Sequence, residues 1–343
     1  MVVRLKDVAE RAGVSIKTVS NVVNGNFPHV SAATRANVER AIDELQYTPN
    51  LTARHLRAGR TTIAALGVPS LQQPYFAELA GAVMSAGKAA GLTVIVEETG
   101  GVPAVELAVA DGLGSSLVGG VILSPLALSR RKLAQRTGAV PLVLLGEHSY
   151  GLDCDHVVLD NVTAARQATE HLIGLGRTRI AVIGAQIKAP FRTAKPRLEG
   201  AIAALRAAGL TMPPEYREPT GPFSRQAGAE RMQRLLALDN PPDAVFCFSD
   251  LLALGAIWAA HEAGARVPED IAVVGFDDIE EGRYSIPTLT TISPDKPQLA
   301  RLAVSLLQDR MKSRDPSRQH VTANIGHRLV VRGSTCGDGV APA

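Results

Sequence analysis

Apolar residues near the start of the chain recur at helical spacing. Val8, Ala9 and Ala12 form one stripe, Val19, Val22 and Val23 a second, and Val38, Ala41, Ile42 and Leu45 a third. Each stripe is the buried side of a short amphipathic helix. The spacing predicts a helix from Lys6 to Ala12, stopped by Gly13, because glycine enters the left-handed conformation at little cost. Ser15 is the expected N-cap of the second helix, which Asn24-Gly25 closes, and Ser31 the cap of the third. Two short helices joined by an Ala-Gly-Val-Ser turn and braced by a third make a helix-turn-helix. In that geometry the second helix enters the major groove of DNA. Its outward positions are Ser15, Ile16, Lys17, Thr18, Ser20 and Asn21. Hydroxyls there suit phosphates, and Lys17 and Asn21 suit base edges. A helical bundle without a nucleic-acid partner is the competing reading of the same stripes.

From Ile63 the period changes. IAALGV, LTVIVE, GGVILS, VPLVLLG, RIAVIG, AVFCFS and IAVVGF are short apolar runs of strand length. Helical stretches separate most of them, among them Phe76 to Ala90, Ala164 to Leu175 and Arg197 to Ala208. Repeated strand–helix units predict an α/β fold with parallel sheets covered on both faces. The length fits two such lobes. Ligands in these folds bind beyond the carboxyl ends of the strands. The strand ends here are Pro69-Ser70, Ser124-Pro125, Gly146-Glu147, Asp160-Asn161, Gly184-Ala185, Ser249-Asp250 and Asp277-Asp278. Small and polar residues at such points also serve as helix caps and turns.

Composition narrows the classes. With 343 residues and 46% hydrophobic content the chain can bury sizeable cores, which must rest on Ala, Val, Leu and Ile because aromatics are only 4%. The net charge of +3 is unevenly spread: residues 1–60 hold nine Lys or Arg against five acids, and the remainder is nearly neutral. A basic module on a neutral body suits a polyanion partner. The three cysteines, Cys154, Cys247 and Cys336, are distant from one another and fit free thiols in a reducing cytosol. The N-terminus lacks a signal-type apolar stretch, and no apolar run is long enough to span a bilayer, so a cytoplasmic location without membrane association is expected.

Catalytic and metal motifs are missing from the sequence. Gly112 to Gly119 has the wrong glycine spacing for a dinucleotide fingerprint, and no GxxxxGK[ST], GxSxG or HExxH occurs. Asp277-Asp278 lacks a second carboxylate cluster to complete a metal site. No cofactor, no metal and no enzymatic activity are expected.

The run LKDVAERAGVSIKTVSNVVNG, followed by YTPNLTARHLRAGRT, resembles the head of the lactose-repressor/galactose-repressor family of bacterial transcription regulators. The resemblance implies a hinge helix over Asn50 to Arg57. Leu56 would be its minor-groove wedge, with Ala53 beside it and Asn50 at its start; apolar side chains inserted there unstack a base step and kink the duplex. Asn21 stands where many relatives carry Arg; Arg favours guanine and Asn favours adenine, so a half-site different from the commonest type is expected. The body is similar to the family's periplasmic-binding-protein type I-like fold through VVLDN (157–161), VVGFDDI (273–279) and PTLTTISPD (287–295). The implied organisation is a helix-turn-helix domain over 1–48, a hinge over 49–60, an effector-binding and dimerisation domain over 61–335, and a tail over 336–343. Lobe one would comprise 62–160 plus 292–320, and lobe two 161–291 plus 321–335, with crossings near Asn161, Ser293 and Val321. The resemblance places the effector between the lobes, on Tyr75, Phe76, Ser124, Thr193, Arg197, Phe223, Ser249, Asp250 and Asp277. An aromatic floor with an arginine and an acid binds polyols by stacking C–H faces and pairing hydroxyl edges.

The expected function is therefore that of a sequence-specific regulator, a repressor, whose affinity for a pseudo-palindromic operator is set by a small molecule. A sugar or sugar derivative is the leading effector, and a purine or nucleoside the alternative, since the aromatics can also stack a flat base. A transport solute-binding protein shares the body fold but predicts a signal peptide and no basic head. The last residues carry no Leu heptads of the kind that tie chains into larger coiled-coil assemblies, so a symmetric homodimer is expected.

Overall fold

The computed structural model describes residues 3–23, 25, 27–28, 30–47, 61–114, 118–138, 140–146, 154–186, 193–313 and 318–336. The chain divides into two compact units, Met1–Thr61 and Thr62–Ala343.

The first unit holds α1 (Leu5–Ala12), α2 (Ile16–Val23) and α3 (Ala32–Glu44). Gly13 ends α1 at φ 63°, the left-handed conformation expected of it. Ser15 Oγ accepts the Thr18 N–H at 3.1 Å, and Ser31 Oγ accepts the Thr34 N–H at 3.1 Å, so both serines cap as the sequence suggests. Val8, Ala9, Ala12, Val19, Val22, Val38 and Ala41 form the core, joined by Tyr47; Val23, Ile42 and Leu45 pack at its edge. Asn37 Nδ2 donates to the Ala12 carbonyl at 2.8 Å and locks α3 onto the end of α1.

The second unit opens with β1 (Ile63–Val68), α4 (Pro74–Ala89), β2 (Thr93–Glu98), α5 (Pro103–Ala110), β3 (Val118–Leu123), α6 (Arg130–Leu133), β4 (Leu142–Leu145) and β5 (Asp155–Leu159). It continues with α7 (Asn161–Gly174), β6 (Ile180–Ile183), α8 (Ala194–Ala207), β7 (Arg217–Glu218), α9 (Arg225–Leu236), β8 (Ala244–Cys247), α10 (Asp250–Glu262), β9 (Ala272–Phe276), α11 (Glu281–Tyr284) and β10 (Thr290–Pro294). It closes with α12 (Lys296–Lys312), β11 (Thr322–Ile325), β12 (His327–Val330) and α13 (Gly333–Cys336). One sheet has the order β11-β5-β4-β3-β1-β2 and the other β12-β10-β9-β8-β6-β7. Every pairing is parallel except β10 with β12. Parallel strands buried on both faces must carry no polar side chains, which is why β4, β6, β8 and β9 are fully buried runs of Val, Ile, Leu, Phe, Ala, Cys and Gly.

The chain passes between the two sheets at Asp160, Asp295 and Gly326. This shifts two of the boundaries read from sequence. Thr290–Pro294 belongs to the second sheet, so lobe one does not resume at 292. Thr322–Ile325 pairs with β5, so the last crossing lies at Gly326 rather than Val321. Each crossing is anchored. Asp160 caps α7 through the Thr163 N–H at 3.0 Å, and Asp295 caps α12 through the Gln298 N–H at 2.7 Å. Gly326 gives its N–H to Gln298 Oε1 at 2.9 Å, and its carbonyl accepts the Asp295 N–H at 3.0 Å. Arg310 fixes α12 to the first sheet by a two-point bond to Asp155, at 2.8 and 2.9 Å.

Candidate functional site

In the first unit, Val19 and Val22 turn inward from α2. Ile16, Lys17, Ser20 and Asn21, at i, i+1, i+4 and i+5, share its other side. Lys17 is exposed, as is Ile16, whose apolar side chain is suited to a thymine methyl. Ser15 and Thr18 are engaged at the helix start, with hydroxyls 2.9 Å apart. Arg35 on α3 sits 4.3 Å from the Phe27 ring centroid and bonds Glu39 at 2.7 Å. Asn50, Ala53 and Leu56 lie outside the described residues.

In the second unit a cleft of about 440 Å³ opens at the carboxyl ends of the strands of both sheets. Its lobe-one side includes Ser70 after β1, Glu98 at the end of β2, Ser124 after β3, and Tyr75 and Phe76 at the start of α4. The two rings meet edge to face with centroids 5.2 Å apart. Its lobe-two side includes Thr193, Arg197, Phe223, Ser249 and Asp277. The structure thus brings eight of the nine expected effector residues to one cleft, the exception being Asp250.

Arg197 is 5% exposed. Its Nε donates to Asn161 Oδ1 at 2.7 Å, Nη1 donates to the Phe248 carbonyl, and the guanidinium lies 3.5 Å from the Phe276 ring centroid. Ser249 lines the cleft while its Oγ caps α10, accepting the Leu252 N–H at 3.3 Å. Asp277 reaches the cleft from a turn in which both it and Asp278 have positive φ, 115° and 48°. Two consecutive non-glycine residues in that region are strained, and such strain concentrates at functional positions. The neighbouring Asp278 points away, to Arg332 Nη2 at 2.6 Å and Ser293 Oγ at 2.9 Å. Burial raises its pKa, but the Arg332 guanidinium outweighs this and holds the carboxyl below the usual range.

Asp250 is a correction to the sequence reading: it is fully buried and does not line the cleft. Its oxygens accept the Ile279 N–H at 2.9 Å and the Thr291 hydroxyl at 2.6 Å, tying α10 to the turn after β9 and to β10. Its carboxyl group lies where a side chain on Gly275 would begin, 2.1 Å from an ideal Cβ, so glycine is required there. Burial, reinforced by Asp277 and Asp278, pushes its pKa well above the ordinary 3.8. A raised pKa favours the protonated form on folding. The stability it contributes is full below 3.8 and is lost as pH rises toward the folded-state value. Asp250→Asn, which keeps the shape without the charge, is expected to flatten this decline, so that its denaturant midpoint falls less than wild type's as pH rises above 3.8. An unchanged pH profile would show that Asp250 is ionised in the folded protein.

Sequence reasoning missed Glu98, whose Oε2 accepts the Leu71 N–H at 2.8 Å, and Glu106. Glu106 is fully buried on α5 and takes the Leu126 and Ala127 N–H groups at 2.6 and 3.1 Å, fixing the loop that carries Ser124. Glu98 directly follows a recognised strand and was findable as a strand end; Glu106 gave no local signal. Among the described residues, no group of three or more His, Cys, Asp or Glu is placed to hold a metal, and no helix is long and apolar enough to cross a membrane.

The helix-turn-helix unit and the later part of the two-lobed unit each match a known family model. Residues 4–50 match the bacterial regulatory proteins of the lacI family, and residues 169–335 match the periplasmic binding protein-like domain. The HTH-type transcriptional repressor PurR of Mannheimia succiniciproducens is 35% identical over 332 residues, covering 96% of this chain and 98% of the relative. The chain belongs to the lacI family. It is a DNA-binding transcriptional repressor with an effector-binding, periplasmic-binding-protein-like domain. Among lacI-family structures, a lac repressor dimer bound to operator and the anti-inducer ONPF aligns with TM-score 0.84 and 31% identity, covering 98% of this chain and 99% of the other. The transcriptional regulator CelR in complex with cellobiose aligns with TM-score 0.72 and 32% identity, covering 97% and 99%.

Proposed function

We propose that this lacI-family repressor binds a pseudo-palindromic operator as a homodimer and is controlled by a neutral polyhydroxylated effector, a sugar or sugar derivative, held in the interlobe cleft. The observation that carries the reading is the pairing of an aromatic wall, Tyr75 and Phe76, with Arg197 and Asp277 across the same cleft. Ring faces take the C–H surface of a sugar, while the guanidinium and carboxylate take its hydroxyl edges. A relative of comparable coverage is recorded in complex with cellobiose, which supports the same class. Phe223 on the opposite lobe favours a second reading, in which a nucleoside base stacks between aromatic side chains.

A thermal-shift screen of sugars and nucleosides on the full chain tests both, since a ligand that binds only the folded state stabilises it by mass action. At least one neutral sugar or sugar derivative is expected to raise Tm and, at the same concentration, to change operator affinity. Stabilisation by nucleosides alone would replace the first reading with the second. Stabilisation confined to anionic compounds would overturn both.

A further inference from the structure

Beside the Asp295 crossing, two lobe-one residues that the sequence did not single out face the turn after β9 in lobe two. Glu78 lies on α4 and Lys296 opens α12. The Lys296 ammonium is ion-paired with Glu78 and donates to the Asp278 carbonyl at 3.0 Å. It also lies 5.6 Å from the Tyr75 ring centroid, and its side chain is only 11% exposed. The other Glu78 oxygen, Oε1, accepts the Glu280 N–H at 3.1 Å. Lobe one therefore presents one donor and one acceptor, held together by their own ion pair, to one carbonyl and one N–H of lobe two.

We propose that Glu78 and Lys296 form a two-point clamp between the lobes that positions Asp277 against Tyr75, and so sets the spacing of the effector cleft. The turn they grip carries the strained Asp277–Asp278 pair, which persists only where its surroundings restrain it. On the lobe-two side the Asp278 carboxylate is already held by Arg332 and Ser293, so the turn moves as one piece with its own sheet. Its Asp278 carbonyl and Glu280 N–H are gripped from lobe one. Lys296 immediately follows the crossing at Asp295, so a small displacement at the clamp becomes a larger one at the cleft mouth. Any rotation of the lobes that separates the Tyr75 wall from Asp277 must break or stretch both interlobe bonds. An effector contacting either wall acts on the clamp, because the Lys296 ammonium lies over the Tyr75 ring on one side and bonds the carbonyl of the residue after Asp277 on the other. The clamp's regulatory consequence rests on the cleft being the effector site, but its existence does not.

Amide hydrogen exchange on the full chain without effector tests the clamp. In Glu78→Gln and Lys296→Met, exchange of the Glu280 amide and of the segment 277–284 is expected to quicken by about tenfold or more, the scale of a lost charge-assisted bond. Peptides from β8 and from the middle of α12 should keep their wild-type rates. Lys296→Arg, which retains the charge, should return the segment most of the way to wild type. Glu78→Gln preserves the side-chain shape and decides the matter if Lys296→Met fails to fold. Wild-type exchange at Glu280 in Glu78→Gln would overturn the proposal. So would acceleration spread equally over α4 and α12, which would make the pair a lobe-one packing contact. A cleft that binds no sugar would leave a positive exchange result standing, whereas intact effector binding with unchanged exchange would remove the clamp alone.

Discussion

Arg197→Ala is expected to shift the response of operator binding to much higher effector concentration and to lower the melting temperature in the same variant. The side chain is placed for both. It lines the cleft, yet it also donates to Asn161 and to the Phe248 carbonyl and stacks on Phe276. Asn161 begins α7 directly after the first crossing, and Phe248 directly follows β8, so the guanidinium joins the hinge to the centre of the second sheet. Truncation leaves two buried acceptors without their donor, at a cost of about 1–3 kcal/mol each. Loss of charge-assisted bonds to effector adds about a ten- to hundredfold fall in affinity. The loss of stability follows from these buried contacts, whatever the effector. Asp277→Asn separates the two effects, because Asp277 is partly exposed and its backbone N–H, which bonds the Ile292 carbonyl at 2.9 Å, is untouched by the change. That variant should keep its melting temperature and lose effector affinity. Titrations of each variant with operator, with and without effector, beside a thermal melt, check both. An Arg197→Ala protein that folds and answers effector like wild type would take Arg197 out of the site.

How far the residues themselves spoke depends on how local the signal was. The strands β4, β6, β8 and β9 were legible because full burial demands continuous apolar runs, and α2 because its buried stripe leaves one polar side. The strands β11 and β12 were not. Thr322–Ile325 and His327–Val330 are four-residue edge strands containing Asn, His and Arg, and only their pairing with β5 and β10 makes them strands. That is why the third crossing was placed at Val321. Most of the cleft was readable through the family resemblance and the strand-end rule. Asp250 was misplaced because a residue at a strand–helix junction can face the ligand or the interior, and a linear pattern does not distinguish them. Glu78, Glu106 and Lys296 escaped for a further reason: each matters through a partner far along the chain, Glu280, Leu126 and Asp278 respectively.

Removal of residues 1–60 is expected to eliminate operator binding while leaving the remaining unit folded. The two-lobed unit has its own cores, built from residues between Ala64 and Ile325, and the head has a separate one from Val8 to Tyr47. The excess of basic over acidic residues lies in the head, so the nearly neutral body has little with which to replace phosphate-bound counterions. The full chain should bind a short pseudo-palindrome with an affinity that falls linearly with salt on logarithmic axes. Two substitutions divide the electrostatic part from the readout. Asn21→Ala removes a partly buried amide from the outer side of α2 and should weaken the specific site by about 1–3 kcal/mol, with little effect on non-specific DNA. Leu56→Ala should likewise affect the specific complex more, since the family resemblance implies that Leu56 is the side chain inserted to kink the operator. Fluorescence anisotropy on specific and scrambled duplexes at several salt concentrations reads all three. If the truncated chain still binds promoter fragments with the wild-type salt slope, the head is not the DNA-binding element and the assignment of α2 fails with it.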